Sequence, residues 1–182
     1  MKVLILEDEP YTREYFEKLV SGHPLVSQVV AVSRGTEAIS RAAEFLPDVA
    51  LLDIELAEDD ELNGIKVAQS LEKFCPNIQF IFLTGYAKYA LDSFLVHPYD
   101  YMVKPIVKEK LLDSLTGISK KIWADKRNQD ASIKKDPLII KGGDRITLIN
   151  PDDLFYVEKK GFKSYFHCLN DVYEVNHSLN KK

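Results

Sequence analysis

Short apolar runs and segments of helical period alternate along the first two thirds of the chain. Residues 2–6 (KVLIL), 28–32 (QVVAV), 49–54 (VALLDI), 78–84 (IQFIFLT) and 100–104 (DYMVK) are nearly continuous apolar runs. Residues 11–20, 36–46, 65–74, 88–94 and 108–123 follow them as predicted helices. Ala38, Ile39, Ala42 and Phe45 recur at helical spacing in one, and Leu111, Leu115, Ile118 and Ile122 in another. Pro10 opens the first helix and Pro47 stops the second. Strands apolar on both sides need cover on both faces, so five such β-α units predict a doubly wound, five-stranded parallel sheet.

The pattern then changes. Residues 126–136, KRNQDASIKKD, are polar, lack apolar periodicity and end before Pro137; they predict a linker or a frayed continuation of the last helix. Beyond them, LIIK, RITLI, LFYVEKK, FKSYFHCL and VYEVNHSL are β-branched and aromatic runs separated by Gly-Gly-Asp, Gly and Asn-Asp turn signals. The expected organisation is therefore an α/β domain over 1–125, a linker over 126–136 and part of an all-β domain over 137–182. Within the second part, His167 and His177 read as strand side chains. Lys159, Lys160 and Lys163 read either as a solvated edge or as phosphate contacts.

Charge sharpens this division. Of 24 Lys/Arg and 28 Asp/Glu, residues 126–182 hold 11 and 8, leaving 13 and 20 for the first 125. An acidic front and a mildly basic rear exclude a chain coated in nucleic acid without excluding a local DNA contact. No run approaches the roughly 18 apolar residues of a membrane span, and MKVLILEDEP is too short in apolar residues for a signal peptide, so a cytoplasmic protein is expected. Cys75 and Cys168 stand alone, without metal-ligand spacing, and read as packing residues.

Candidate chemistry collects where the predicted strands end. The first ends in Glu7-Asp8-Glu9, the third in Asp53, the fourth in Thr84 and the fifth in Lys104-Pro105. In open parallel α/β sheets this rim binds ligands. Clustered carboxylates repel unless a cation lies among them, and a hard dication such as Mg²⁺ prefers such oxygen donors. Lys104 and the Thr84 hydroxyl suit a phosphoryl group, and an Asp carboxylate can act as the nucleophile. Glu7 and Asp8 have a simpler alternative, capping the helix that follows. Glu58, Asp59, Asp60 and Glu61 read as a solvated loop.

The ordered motifs ILEDEP, LLDIE, FLTG and YMVKP resemble the receiver domain of bacterial two-component response regulators over residues 1 to about 122. The resemblance implies a flavodoxin-like fold and a regulator rather than an enzyme. It makes Asp53 the phosphoacceptor, phosphorylated by a sensor histidine kinase, with Mg²⁺ held by Glu7, Asp8, Asp53 and the backbone carbonyl of Glu55. It makes Lys104 and Thr84 the phosphate partners, Gly85 the small residue that leaves the phosphoryl group accessible, and Thr84 and Tyr101 the switch pair. It also implies a cis Lys104–Pro105 bond and a homodimer formed on phosphorylation. AEDDEL lengthens the loop after Asp53 by about three residues relative to that pattern, which predicts a looser, more negative loop. The rear segment is similar to the start of a LytTR-type DNA-binding domain through IKGGDRI, DLFYVE and the closing HSL. About half of such a domain would follow Lys182, so DNA is the expected partner of a longer chain rather than of this one. Two rival functions are a receiver acting only through protein contacts and a Mg²⁺-dependent phosphatase or phosphotransferase with an aspartyl intermediate.

Overall fold

The computed structural model describes residues 1–129, 137–142 and 145–176. Two compact units divide it, Met1–Ser119 and Lys120–Lys182. In the first, five parallel strands, β1 (Lys2–Leu6), β2 (Gln28–Val32), β3 (Val49–Leu52), β4 (Gln79–Thr84) and β5 (Asp100–Val103), lie in the order β2-β1-β3-β4-β5. The connecting helices are α1 (Pro10–Ser21), α2 (Gly35–Phe45), α3 (Gly64–Glu72) and α4 (Ala90–Ser93), and α5 (Lys108–Gln129) follows β5. The central strands are buried on both faces, as their unbroken apolar sequences require: Val3–Leu6, 49–52 and 80–83 are almost wholly inaccessible. One core cluster joins Leu4, Leu52, Phe80 and Phe82 to Ala38 and Ala42 of α2 and to Val67, Ala68 and Leu71 of α3.

Three boundaries differ from the sequence reading. The third strand ends at Leu52, so Asp53 and Ile54 lie just beyond the sheet rather than within it. The helix expected over 88–94 is broken into a 3-10 turn (Ala87–Tyr89), the single turn α4 and a second 3-10 turn (Phe94–Val96). Its apolar residues Leu91, Phe94 and Leu95 point outward and are 80%, 64% and 69% exposed, so no buried stripe supports a longer helix. Finally, α5 runs past Trp123 to Gln129, so residues 126–129 continue the last helix, the second of the two readings given for that segment. The remaining linker residues 130–136 lie outside the described residues.

In the second unit, β6 (Leu138–Gly142) pairs antiparallel with β7 (Arg145–Ile149), and β8 (Leu154–Lys160), β9 (Lys163–Cys168) and β10 (Val172–Asn176) form an antiparallel sheet in the order β10-β9-β8. The all-β expectation for this segment is met. Trp123 meets Phe155 edge-on, with ring centroids 5.7 Å apart. His167 stacks on its cross-strand neighbour Tyr156 at 4.2 Å, a packing role. Lys160 pairs with Glu158, and Lys163 with Glu174. Residues 143–144 of the Gly-Gly-Asp turn and the closing His177-Ser178-Leu179 lie outside the described residues. Both cysteines are free and buried. No helix among the described residues is long and apolar enough to cross a membrane.

Candidate functional site

Backbone hydrogen bonds continue the sheet past the strand ends and so fix where the site side chains start. The Glu7 amide donates to the Val32 carbonyl at 3.1 Å, the Asp53 amide to Leu6 at 2.9 Å and the Lys104 amide to Thr84 at 2.8 Å. Glu7, Asp53 and Thr84 are thereby buried at the rim, and carboxylate oxygens of Glu7, Asp8 and Asp53 lie within 4.8 Å of one another. The Lys104 ammonium donates to Glu7 Oε2 and to Asp53 Oδ2, each at 2.6 Å, and the Lys104–Pro105 peptide is cis.

One ammonium among three carboxylates leaves the cluster short of positive charge. Burial raises the Glu7 carboxyl from its ordinary 4.5 to about 7; Lys104 opposes that shift, while Asp53 and Asp8 add to it. Burial also pulls Lys104 down, but its hydrogen bonds to Asp53 and Glu7 outweigh that, so it stays protonated and above its ordinary value. Asp53 Oδ1 is buried with no hydrogen-bond partner. A buried, unpartnered carboxylate oxygen beside two further acids is a donor set that fits a hard dication.

Residues around the site fix these groups. Glu9, not Glu7 or Asp8, caps α1: its carboxylate accepts from the Tyr11 and Thr12 amides at 3.1 and 2.6 Å. The capping alternative for Glu7 and Asp8 therefore falls. Arg13 Nη1 donates to the carbonyls of Glu7 and Asp8 at 2.8 and 3.0 Å, holding the acid pair from behind. Gly64 touches the Asp53 backbone so closely that a Cβ would lie 2.0 Å from the Asp53 carbonyl oxygen.

Thr84 is fully buried, and its Oγ1 accepts weakly from the Tyr86 amide at 3.4 Å. Tyr101 donates its hydroxyl to the Tyr86 carbonyl, and its ring lies 6.2 Å from Phe82. A Cβ at Gly85 would meet nothing within 4 Å. The Glu55 side chain accepts from the Tyr89 hydroxyl at 2.6 Å and pairs with Lys88 at 3.2 Å, which together hold its carboxyl below the ordinary range. Lys88 lies over the rings of both Tyr86 and Tyr89.

Every strand-end residue named from the sequence thus lies on one rim. Sequence reasoning missed four contributors: Glu9, Arg13, the Lys88–Tyr89 pair and two acids of the long loop. Glu9 had a signal, an acceptor directly before Pro10 at a helix start. The Tyr89–Glu55 contact had none, because 34 residues separate the partners. Glu58 and Glu61 are exposed, as a solvated loop requires, but Asp59, itself exposed, pairs with Arg34, and half-buried Asp60 accepts from the Gly35 amide through Oδ2 at 2.8 Å.

Residues 3–116 match the response regulator receiver domain family. The chain is 31% identical over 182 residues to a sensory transduction protein, LytT, of Enterococcus faecalis, covering 99% of this chain and 74% of that protein. It is 36% identical over 141 residues to the positive alginate biosynthesis regulatory protein of Pseudomonas aeruginosa, covering 75% of this chain and 53% of that one. Among solved structures, the signal receiver domain of a modulated diguanylate cyclase from Desulfovibrio desulfuricans superposes with a TM-score of 0.58 at 28% identity, covering 66% of this chain and 94% of that chain.

Proposed function

From the premise that the chain belongs to the response regulator receiver family, we propose that Asp53 accepts a phosphoryl group from a sensor histidine kinase and thereby switches a LytTR-type output segment. The chain is a two-component response regulator of transcription with a receiver followed by LytTR-type strands. The observation that supports Asp53 is its division of labour: Oδ2 is held by Lys104, while Oδ1 is buried and unpartnered. An oxygen of Asp53 bonds to phosphorus as the phosphorus–nitrogen bond to the kinase imidazole breaks, and that electron pair stays on the ring nitrogen.

Glu7, Asp8 and Asp53, with the Glu55 carbonyl, would hold Mg²⁺, which when bound supplies positive charge to the phosphoryl oxygens. Lys104 keeps its proton and offers its ammonium to the new phosphoryl oxygens in place of one of its two carboxylates. Thr84 donates its hydroxyl from the opposite side, and the open space at Gly85 leaves the phosphoryl group reachable. Withdrawal of Thr84 from the Tyr86 amide would change what Tyr101, bonded to the Tyr86 carbonyl, packs against. That pair biases the face formed by α4, β5 and α5, beside which exposed Leu91 of α4 and Phe94 and Leu95 of the following 3-10 turn suit contact with a second copy. A homodimer would pair the output segments, residues 137–182, on repeated DNA half-sites. The expected compartment is the cytoplasm.

The deciding experiment incubates the chain with a small phosphodonor, with and without Mg²⁺, beside Asp53→Asn. Intact mass should rise by one phosphoryl group only with Mg²⁺ and only in the unsubstituted chain. Equal labelling of both proteins would overturn the reading.

A further inference from the structure

The segment from Asp53 to Gly64 carries the long acidic insertion, and its two ends are well fastened. Asp53 is held by β1 and Lys104, and the Gly64 amide donates to the Ile54 carbonyl at 3.0 Å. Burial holds its middle only in part: Leu56 and Leu62 pack against the core cluster, while residues 57–59 and Glu61 are exposed. A cavity of about 300 Å³, bounded by Ile54, Leu56, Ala57, Leu62, Lys66 and Tyr89, opens beside it.

What also holds the middle is the N-terminus of α2. Arg34, at the capping position of α2, makes no side-chain cap, so the first amides of that helix need an outside acceptor. Asp60 provides it from 25 residues away: Oδ2 accepts from the Gly35 amide at 2.8 Å, and Oδ1 turns back to the Leu62 amide at 3.1 Å. The Asp60 amide closes the turn on the Ala57 carbonyl at 2.8 Å. Asp59 adds an ion pair with Arg34 beside it. Both charges sit at the positive end of the helix dipole. The approach depends on glycine at 35, where a Cβ would lie 2.9 Å from both Leu62 Cβ and Val67 Cγ2. Ala38 and Ala42 are buried in the core cluster, which fastens α2 to the fold.

We propose that Asp60 is a positioning residue for phosphoryl transfer, clamping the 55–62 loop to the N-terminus of α2 so that the Glu55 carbonyl is already in place when the metal arrives. This rests on the phosphoacceptor reading of Asp53. Without the clamp, Glu55 keeps only its side-chain contacts to Tyr89 and Lys88, and the rest of the loop would be ordered on metal binding, so the loss falls on metal affinity and leaves the phosphoryl-transfer step itself unchanged.

The test measures phosphodonor labelling of the full chain across a Mg²⁺ series, together with amide hydrogen exchange at Gly35 in metal-free protein. In Asp60→Ala the half-maximal Mg²⁺ concentration should rise about fivefold, the size of a lost helix cap, with the plateau rate within about twofold. The Gly35 amide should lose its protection in the same variant. Asp60→Asn keeps one oxygen for the Gly35 amide but sets its NH2 group against the Leu62 amide, so its midpoint should fall between those of the original and of Asp60→Ala. Arg34→Ala, a change at an exposed side chain, should move it in the same direction by less. An unmoved midpoint in Asp60→Ala, a fall in plateau alone, or Asp60→Asn behaving like Asp60→Ala overturns the proposal. Absence of labelling in the unsubstituted chain would defeat the phosphoacceptor reading instead, and the exchange measurement would then still decide whether the clamp exists.

Discussion

Replacing Glu7 by Gln should make the metal-free protein more stable at alkaline pH, although it removes a residue of the site. Glu7 is 2% exposed and ionises at about 7 in the folded chain against 4.5 ordinarily. Below pH 4.5 the carboxyl is protonated in both folded and unfolded chains and carries no penalty. Between 4.5 and about 7 the unfolded chain gives up a proton that the folded chain keeps, so stability falls as pH rises. Above about 7 both are ionised and the whole difference is present. At about 1.4 kcal/mol per pH unit it amounts to about 3 kcal/mol. Urea unfolding in a metal chelator at pH 5 and pH 8.5 measures this, with Glu7→Gln isolating Glu7 from every other titrating group. The variant should be more stable by less than ~1 kcal/mol at the acid end, where only part of the difference has developed, and by up to ~3 kcal/mol at the alkaline end. Saturating Mg²⁺ should reverse the order at pH 8.5, because the variant, left with Asp8 and Asp53 as carboxylate ligands, gains less from the cation than the unsubstituted chain. Parallel pH profiles for the two proteins would refute the reasoning, since the penalty would then not reside on Glu7.

Two further substitutions separate packing from access. Gly64→Ala pushes a Cβ onto the Asp53 carbonyl and should cost ~1–3 kcal/mol in chemical unfolding; the displaced carboxylate should also slow phosphodonor labelling by at least about tenfold. Gly85→Ala meets no neighbour and should leave stability within ~0.5 kcal/mol, so any slowing of labelling in that variant measures access to the phosphoryl position alone.

Residues near one another in the chain, and residues at strand ends, are legible in the sequence alone. The five apolar runs determine a buried parallel sheet, because a strand covered on both faces cannot alternate polar and apolar positions. That sheet by itself gathers Glu7, Asp8, Asp53, Thr84 and Lys104 on one rim, since all parallel strands end on the same side. The second unit is legible in the same way, from β-branched runs and their turn signals. The region from Ala87 to Val96 is not, because its apolar spacing is helical while its apolar side chains face outward, and periodicity cannot tell a core face from an exposed one.

Only the tertiary structure decided which acid does what. Glu7, Asp8 and Glu9 are adjacent and chemically alike, yet one caps α1 and two face Asp53, a choice made by backbone direction at the end of β1. Asp59 and Asp60 looked solvated in sequence because their partners, Arg34 and the Gly35 amide, lie on another helix. Sequence pattern records the burial of whole faces, which repeats with the period of the element. A single hydrogen bond between distant segments has no period, and its partners become neighbours only when the sheet and helices have packed.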